Sequence, residues 1–161
     1  QIVAVGLPGS GGTFVEESEH YIAFYDLFVT HGFGSYLKLM KAFSFNGIMG
    51  GWLTFKGNKS LQYNIDVEQT ENEPDENFAR EIMQLFSVGL KARNMDGTEI
   101  IDESGFAKET YDIADIMSYA RAWTGFISPS DRGGSSVAER QANDKQLDPM
   151  EIEPTYRDRY P

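Results

Sequence analysis

Pro74-Asp75-Glu76-Asn77-Phe78-Ala79-Arg80-Glu81-Ile82-Met83-Gln84-Leu85-Phe86-Ser87-Val88-Gly89 reads as one complete amphipathic helix. Phe78, Ile82, Leu85 and Phe86 recur at spacings of three and four, which puts them on one face. Asn77, Arg80, Glu81 and Gln84 recur on the other. Pro74 suits a first turn, where its missing N–H leaves nothing unpaired. Gly89 can take the left-handed conformation that closes a helix.

Further elements are read outward from this run. Residues 14–30 are expected to be helical, with Phe14, Ile22, Phe24, Tyr25 and Phe28 inward. His31-Gly32-Phe33-Gly34 breaks the pattern. Ser35 is the expected N-cap of a helix over 36–43 with Leu37, Met40 and Phe43 inward. After the Asn46-Gly47 turn, residues 48–55 form a short apolar element. The run from Asp66 to Glu76 is acidic and reads as a solvated linker leading into the signature helix. Downstream, Leu90–Asn94 and Thr98–Ile101 flank Asp96-Gly97, the signal of a small β-hairpin. Asp112, with Asp115 three residues on, predicts a capped helix over 113–124. Its stripe is Ile113, Ile116, Met117, Ala120 and Trp123, and Gly125 ends it. Residues 128–161 are polar and turn-rich, which predicts an extended tail. No internal repeat is read.

The 161 residues suffice for one domain with a core, and 40% are hydrophobic. Lys and Arg number 14 against 25 Asp and Glu, a net charge of −11. Such a surface repels phosphate backbones and anionic membranes, so nucleic acid is not an expected partner. There is no cysteine, which excludes thiol catalysis and disulfides. No apolar run reaches the roughly 20 residues of a membrane span. The chain opens at Gln1 without an initiator Met, which reads as a processed chain or a piece of a longer one.

Motifs with chemical meaning are few. Gly6 to Thr13 has nearly the spacing of a phosphate-binding loop, but Gly12 stands where the phosphate-holding Lys belongs, so a plain loop is expected. Asn94, Asp96, Gly97 and Glu103 match part of a calcium loop. Ala92 falls at its first ligand position and cannot ligate, so the hairpin is favoured over calcium. His20 and His31 have no second motif to make them a metal pair. No Gly-x-Ser-x-Gly elbow is present. No cofactor or metal is expected. The polar set Asn77, Arg80, Glu81, Gln84 and Arg121 is the remaining candidate site. If buried, these charges must be paired. A structural ion-pair network is favoured, with Arg121 as partner of Glu81 or Glu76, over a ligand-binding face.

The signature run, followed by Tyr119-Ala120-Arg121-Ala122-Trp123-Thr124-Gly125-Phe126, resembles the bacterial and algal family called domain of unknown function eighteen hundred. Residues 32–58 look like its preceding helix pair. Leu147-Asp148-Pro149-Met150 through Arg157-Asp158 resembles its algal type. Asp75, Ser118 and Phe126 depart from the usual Asn, Glu and Trp. The resemblance implies a fragment of a longer protein, exported in many bacterial relatives, and brings no agreed activity.

These readings predict a mostly α-helical domain over 1–127 with one small β-hairpin, and a polar tail over 128–161. The function expected first is a non-catalytic structural or interaction module. The alternatives are a hydrolase completed by residues outside this chain, and an accessory subunit that docks on a larger assembly through Trp52 or Tyr156.

Overall fold

The computed structural model describes residues 14–129 and 148–159, and the side chains from Glu19 onward within them. The readings of residues 1–13, of Phe14 as a core residue and of much of the tail lie outside these. The fold is mostly α with one small antiparallel β-pair. Helices α1 (Phe14–His31), α2 (Tyr36–Ser44) and α3 (Gly47–Trp52) come first. Then follow α4 (Leu61–Tyr63), α5 (Asn77–Glu81) and α6 (Ile113–Ala122). Strands β1 (Phe126–Ile127) and β2 (Glu151–Ile152) pair with Phe126 opposite Ile152.

The described chain forms two compact units. One holds residues 58–124 and 156–159, the other residues 14–57, 125–129 and 148–155.

In the unit that contains α1, the helices α1, α2 and α3 pack on one another. Phe24, Phe43, Met49 and Phe55 are fully buried, as their spacing predicts for Phe24 and Phe43. Ile22, Tyr25 and Leu37, expected inward, are instead exposed. Helical periodicity identifies apolar faces but not which of them has a neighbour. Ser35 sits at the N-cap of α2 without a side-chain bond to it. Asn46 does cap α3, accepting from the Ile48 N–H at 2.9 Å. The C-terminal segment lies close to α3. The Met150 N–H donates to Phe45 O at 2.7 Å. A Cβ on Gly50 would lie 2.6 Å from Met150 Sδ, so any larger residue there must displace the buried Met150 thioether.

In the other unit, α5 packs against α6. Phe78 and Trp123 meet edge to face with ring centroids 4.5 Å apart. Ala79, Ile116 and Ala120 form a buried cluster, with Met83 and Tyr111 packed on it. The Asp112–Asp115 capping box forms as predicted, with both bonds at 3.0 Å. Ile113, expected in the stripe, is exposed at the first position of α6.

The signature run differs from one regular helix. It begins at Asn77, whose N–H donates to Asp75 Oδ1 at 2.8 Å, so Asp75 rather than Pro74 organises the start. After Glu81 the backbone widens into a π-helical turn over Ile82–Phe86. The wider turn changes the angular step between residues. Ile82 and Phe86 stay buried, while Leu85 turns outward and is exposed. Gly89 closes the run as expected, with φ +76° and its N–H on Met83 O at 2.8 Å.

The Asp96-Gly97 turn forms, but its arms make isolated bridges rather than regular strands. The regular ladder is β1–β2 instead. A second turn of the same build follows. The Asn94 N–H donates to Thr98 O and the Asp102 N–H to Phe106 O, both at 2.8 Å. Gly97 and Gly105 both have positive φ, +87° and +86°. The N–H of Ala92 donates to Lys108 O at 2.9 Å, that of Ile100 to Ala92 O at 2.9 Å, and that of Lys108 to Ile100 O at 2.8 Å. Residues eight apart thus close a ring of backbone bonds, a short repeat that the side chains barely mark.

Gly50→Val should lower stability by about 1–3 kcal/mol through overpacking against Met150. Combining it with Met150→Ala should lessen the cost of the Gly50 change, which a urea-denaturation cycle would read out.

Candidate functional site

The five polar residues read as a candidate site do not gather at one point. Arg80 and Glu76, one helical turn apart, form an ion pair. The hydrogen bond that the Arg80 guanidinium donates to the Glu76 carboxylate is the main influence raising the Arg80 pKa. Glu81 sits beside this pair and acts electrostatically on both Arg80 and Tyr111. Among the described residues, Glu81 Oε2 and the Tyr111 hydroxyl are buried and meet no hydrogen-bond partner. Burial raises the Tyr111 phenol pKa above its ordinary value, and Arg80 partly offsets this. Asn77 stays at the helix start. Gln84 lines an open cleft with Leu85, Val88, Leu90, Lys91 and Arg93.

Arg121 lies apart from these, in a clamp at the end of α6. Its Nε donates to Asp158 Oδ2 at 2.6 Å. This ion pair to the C-terminal segment was not among the expected partners, Glu81 and Glu76. Asp158 raises the Arg121 pKa, through the hydrogen bond first and its charge second. Thr124, fully buried, is the hub. Its hydroxyl donates to Arg121 O at 2.9 Å and accepts from the Asp158 N–H at 2.8 Å. The Arg157 Nη1 donates to Thr124 O at 3.2 Å. One hydroxyl thus joins the last turn of α6 to a segment more than thirty residues later in sequence. Sequence reasoning missed Thr124, Tyr111, Arg157 and Asp158 as partners. The signal available was the recurrence of Thr124 and Arg157-Asp158 in the family-like stretches.

A third polar cluster pins the C-terminal segment. Lys59 pairs with Glu68, and its Nζ lies 5.3 and 5.0 Å from the ring centroids of Tyr63 and Tyr156. The Ser60 N–H donates to Tyr156 O at 2.8 Å.

The partial calcium loop is a turn held by its own side chains. The Asp96 carboxylate accepts from the Thr98 N–H at 2.9 Å and from its hydroxyl at 2.7 Å. These bonds, the hydroxyl first, lower the Asp96 pKa. Among the described residues no group of three or more His, Asp or Glu could hold a metal ion. His20 is buried within α1, and His31 ends that helix. The phosphate-loop resemblance at Gly6–Thr13 lies outside the described residues. No helix among the described residues is long and apolar enough to cross a membrane.

The family model described as protein of unknown function (DUF1800) matches residues 13–157. The chain belongs to this family. No curated protein and no solved structure matches it. The family match spans both motifs, so the π-helical turn and the Arg121, Thr124 and Arg157 members of the clamp lie within it, and Asp158 falls one residue beyond it.

The orphaned phenol gives a test with two readouts. A hydroxyl without a partner contributes nothing, so Tyr111→Phe should leave neutral-pH stability unchanged or raise it by up to about 1 kcal/mol. A phenol with a folded pKa above its unfolded 10.0 contributes stability below that pH. That stability is lost as pH rises through the folded value. Tyr111→Phe should therefore also lessen the alkaline loss in urea-denaturation profiles. A neutral-pH loss beyond 1 kcal/mol would mean that the hydroxyl has a partner.

Proposed function

We propose that this chain acts as a non-catalytic structural and interaction module. The observation that carries the reading is the use made of the most family-like polar groups. Arg121 Nε bonds the Asp158 carboxylate, and the Thr124 hydroxyl bonds the Arg121 carbonyl and the Asp158 N–H. A buried hydroxyl bonded as both donor and acceptor fixes chain path. A catalytic constellation instead leaves a group aimed at a reacting atom. The half-exposed ion pair of Arg80 with Glu76 fits the same role as a helix-surface contact of small energy.

One observation favours a second reading, an enzyme completed by residues beyond those described. Among the described residues, Glu81 Oε2 and the Tyr111 hydroxyl are buried atoms without a hydrogen-bond partner, next to a π-helical turn. Such turns recur at functional sites. A hydrolase would use the carboxylate as base and the phenol as donor, with Arg80 close by to hold an anion. The structural reading is preferred because the bonds of Thr124 tie the end of α6 to the C-terminal segment on both sides of one buried hydroxyl.

Removing the hub should decide whether the clamp is structural. Thr124→Val keeps the shape and strands two partly buried backbone groups, Arg121 O and the Asp158 N–H. It should cost about 1–3 kcal/mol in chemical denaturation. Thr124→Ser, which keeps the hydroxyl, should recover much of that. Equal stability of wild type and Thr124→Val would remove the observation on which the reading rests.

A further inference from the structure

The most anomalous surface in the described structure is the tip where α1 turns into α2. Val29, Phe33 and Leu37 follow one another four residues apart, and their relative exposures are 80%, 110% and 75%. Ile22 and Tyr25 extend the stripe back along α1 and are exposed too, with Tyr36 beside Leu37. Single exposed apolar residues are ordinary, but six of them along two packed helices and the turn between them point to a contact surface.

The charges around the stripe are sorted by helix. Glu19 and Asp26, both exposed, lie at spacings of three and four from Ile22 on α1. Lys38 and Lys41, both exposed, belong to α2, with Lys41 four residues on from Leu37. The acids of this pair of helices are thus all on α1 and its lysines all on α2, so the two helices carry opposite charge in a chain whose total is −11. A two-fold contact uses the same patch on both partners. Placing α1 of one copy over α2 of the other sets the acids of one helix against the lysines of the other, twice over by the two-fold symmetry.

We infer that the α1–α2 tip is a self-association surface on which two copies of this chain pair isologously. The inference rests on the interaction half of the proposed function and is independent of the Thr124 clamp. A monomeric chain would overturn it and leave the clamp test untouched.

Sedimentation equilibrium of the whole 161-residue chain, at several concentrations, provides the test. A reversible monomer–dimer equilibrium is expected. Phe33→Ser and Val29→Asp, both at exposed positions, should each weaken it about tenfold or more, as loss of a central apolar anchor does. Their circular dichroism and melting should stay at wild-type values. Asp26→Lys and Lys41→Asp should each weaken the dimer, and the double variant should regain it. A chain that is monomeric at all concentrations would overturn the inference, showing that the patch serves another occupant. So would a dimer indifferent to Phe33, Val29 and the charge exchange.

Discussion

The fold of the unit holding α5 and α6 depends on one buried hydroxyl. Thr124 lies directly after the last turn of α6 and is fully enclosed. A buried hydroxyl without partners costs free energy, so its two bonds decide what can lie beside it. One goes back to the Arg121 carbonyl, which the end of a helix leaves unpaired. The other receives the Asp158 N–H. The Arg121–Asp158 ion pair and the Arg157 bond to Thr124 O enclose the same point. Each of these contacts is modest alone, and Arg121 is partly solvated, so the charge pair adds less than its short distance suggests. Their effect comes from sharing a hub that is dry.

Tyr63, Tyr156 and Lys59 act on the same terminal segment a few residues earlier. The two aromatic edges and a cation stacked near both give that segment an apolar hold where the clamp gives it a polar one. The ring of backbone bonds through Ala92, Ile100 and Lys108 works differently. Nearly all residues from 93 to 110 are exposed, so hydrophobic burial contributes little there. Closed hydrogen bonding and two glycine turns hold it instead.

Much of the α-helical layout was legible because periodicity and capping are local. The capping box on α6, the Gly89 closure and the buried Phe78, Ile82 and Phe86 all follow from residues within two turns of each other. Leu85 escaped because an i→i+5 turn leaves no mark in an apolar pattern drawn for 3.6 residues per turn. Ile22, Tyr25 and Leu37 escaped because an apolar face looks the same with or without a neighbour. The five polar residues were singled out, yet their partners were not. Arg121 and Asp158 are 37 residues apart, and no spacing rule links them. Tyr111 stood out only once its burial was known.

The measurement that tests the central claim most directly is amide hydrogen exchange at Asp158. Its N–H donates to the Thr124 hydroxyl, a side-chain acceptor rather than a helix or strand carbonyl. If that bond holds the chain, the Asp158 amide should exchange slowly and by the same opening that releases the amides of α6. Thr124→Val should then abolish its protection. Exchange of Asp158 at the rate of an unstructured peptide in the wild-type chain would contradict the account, because the hub would then be open.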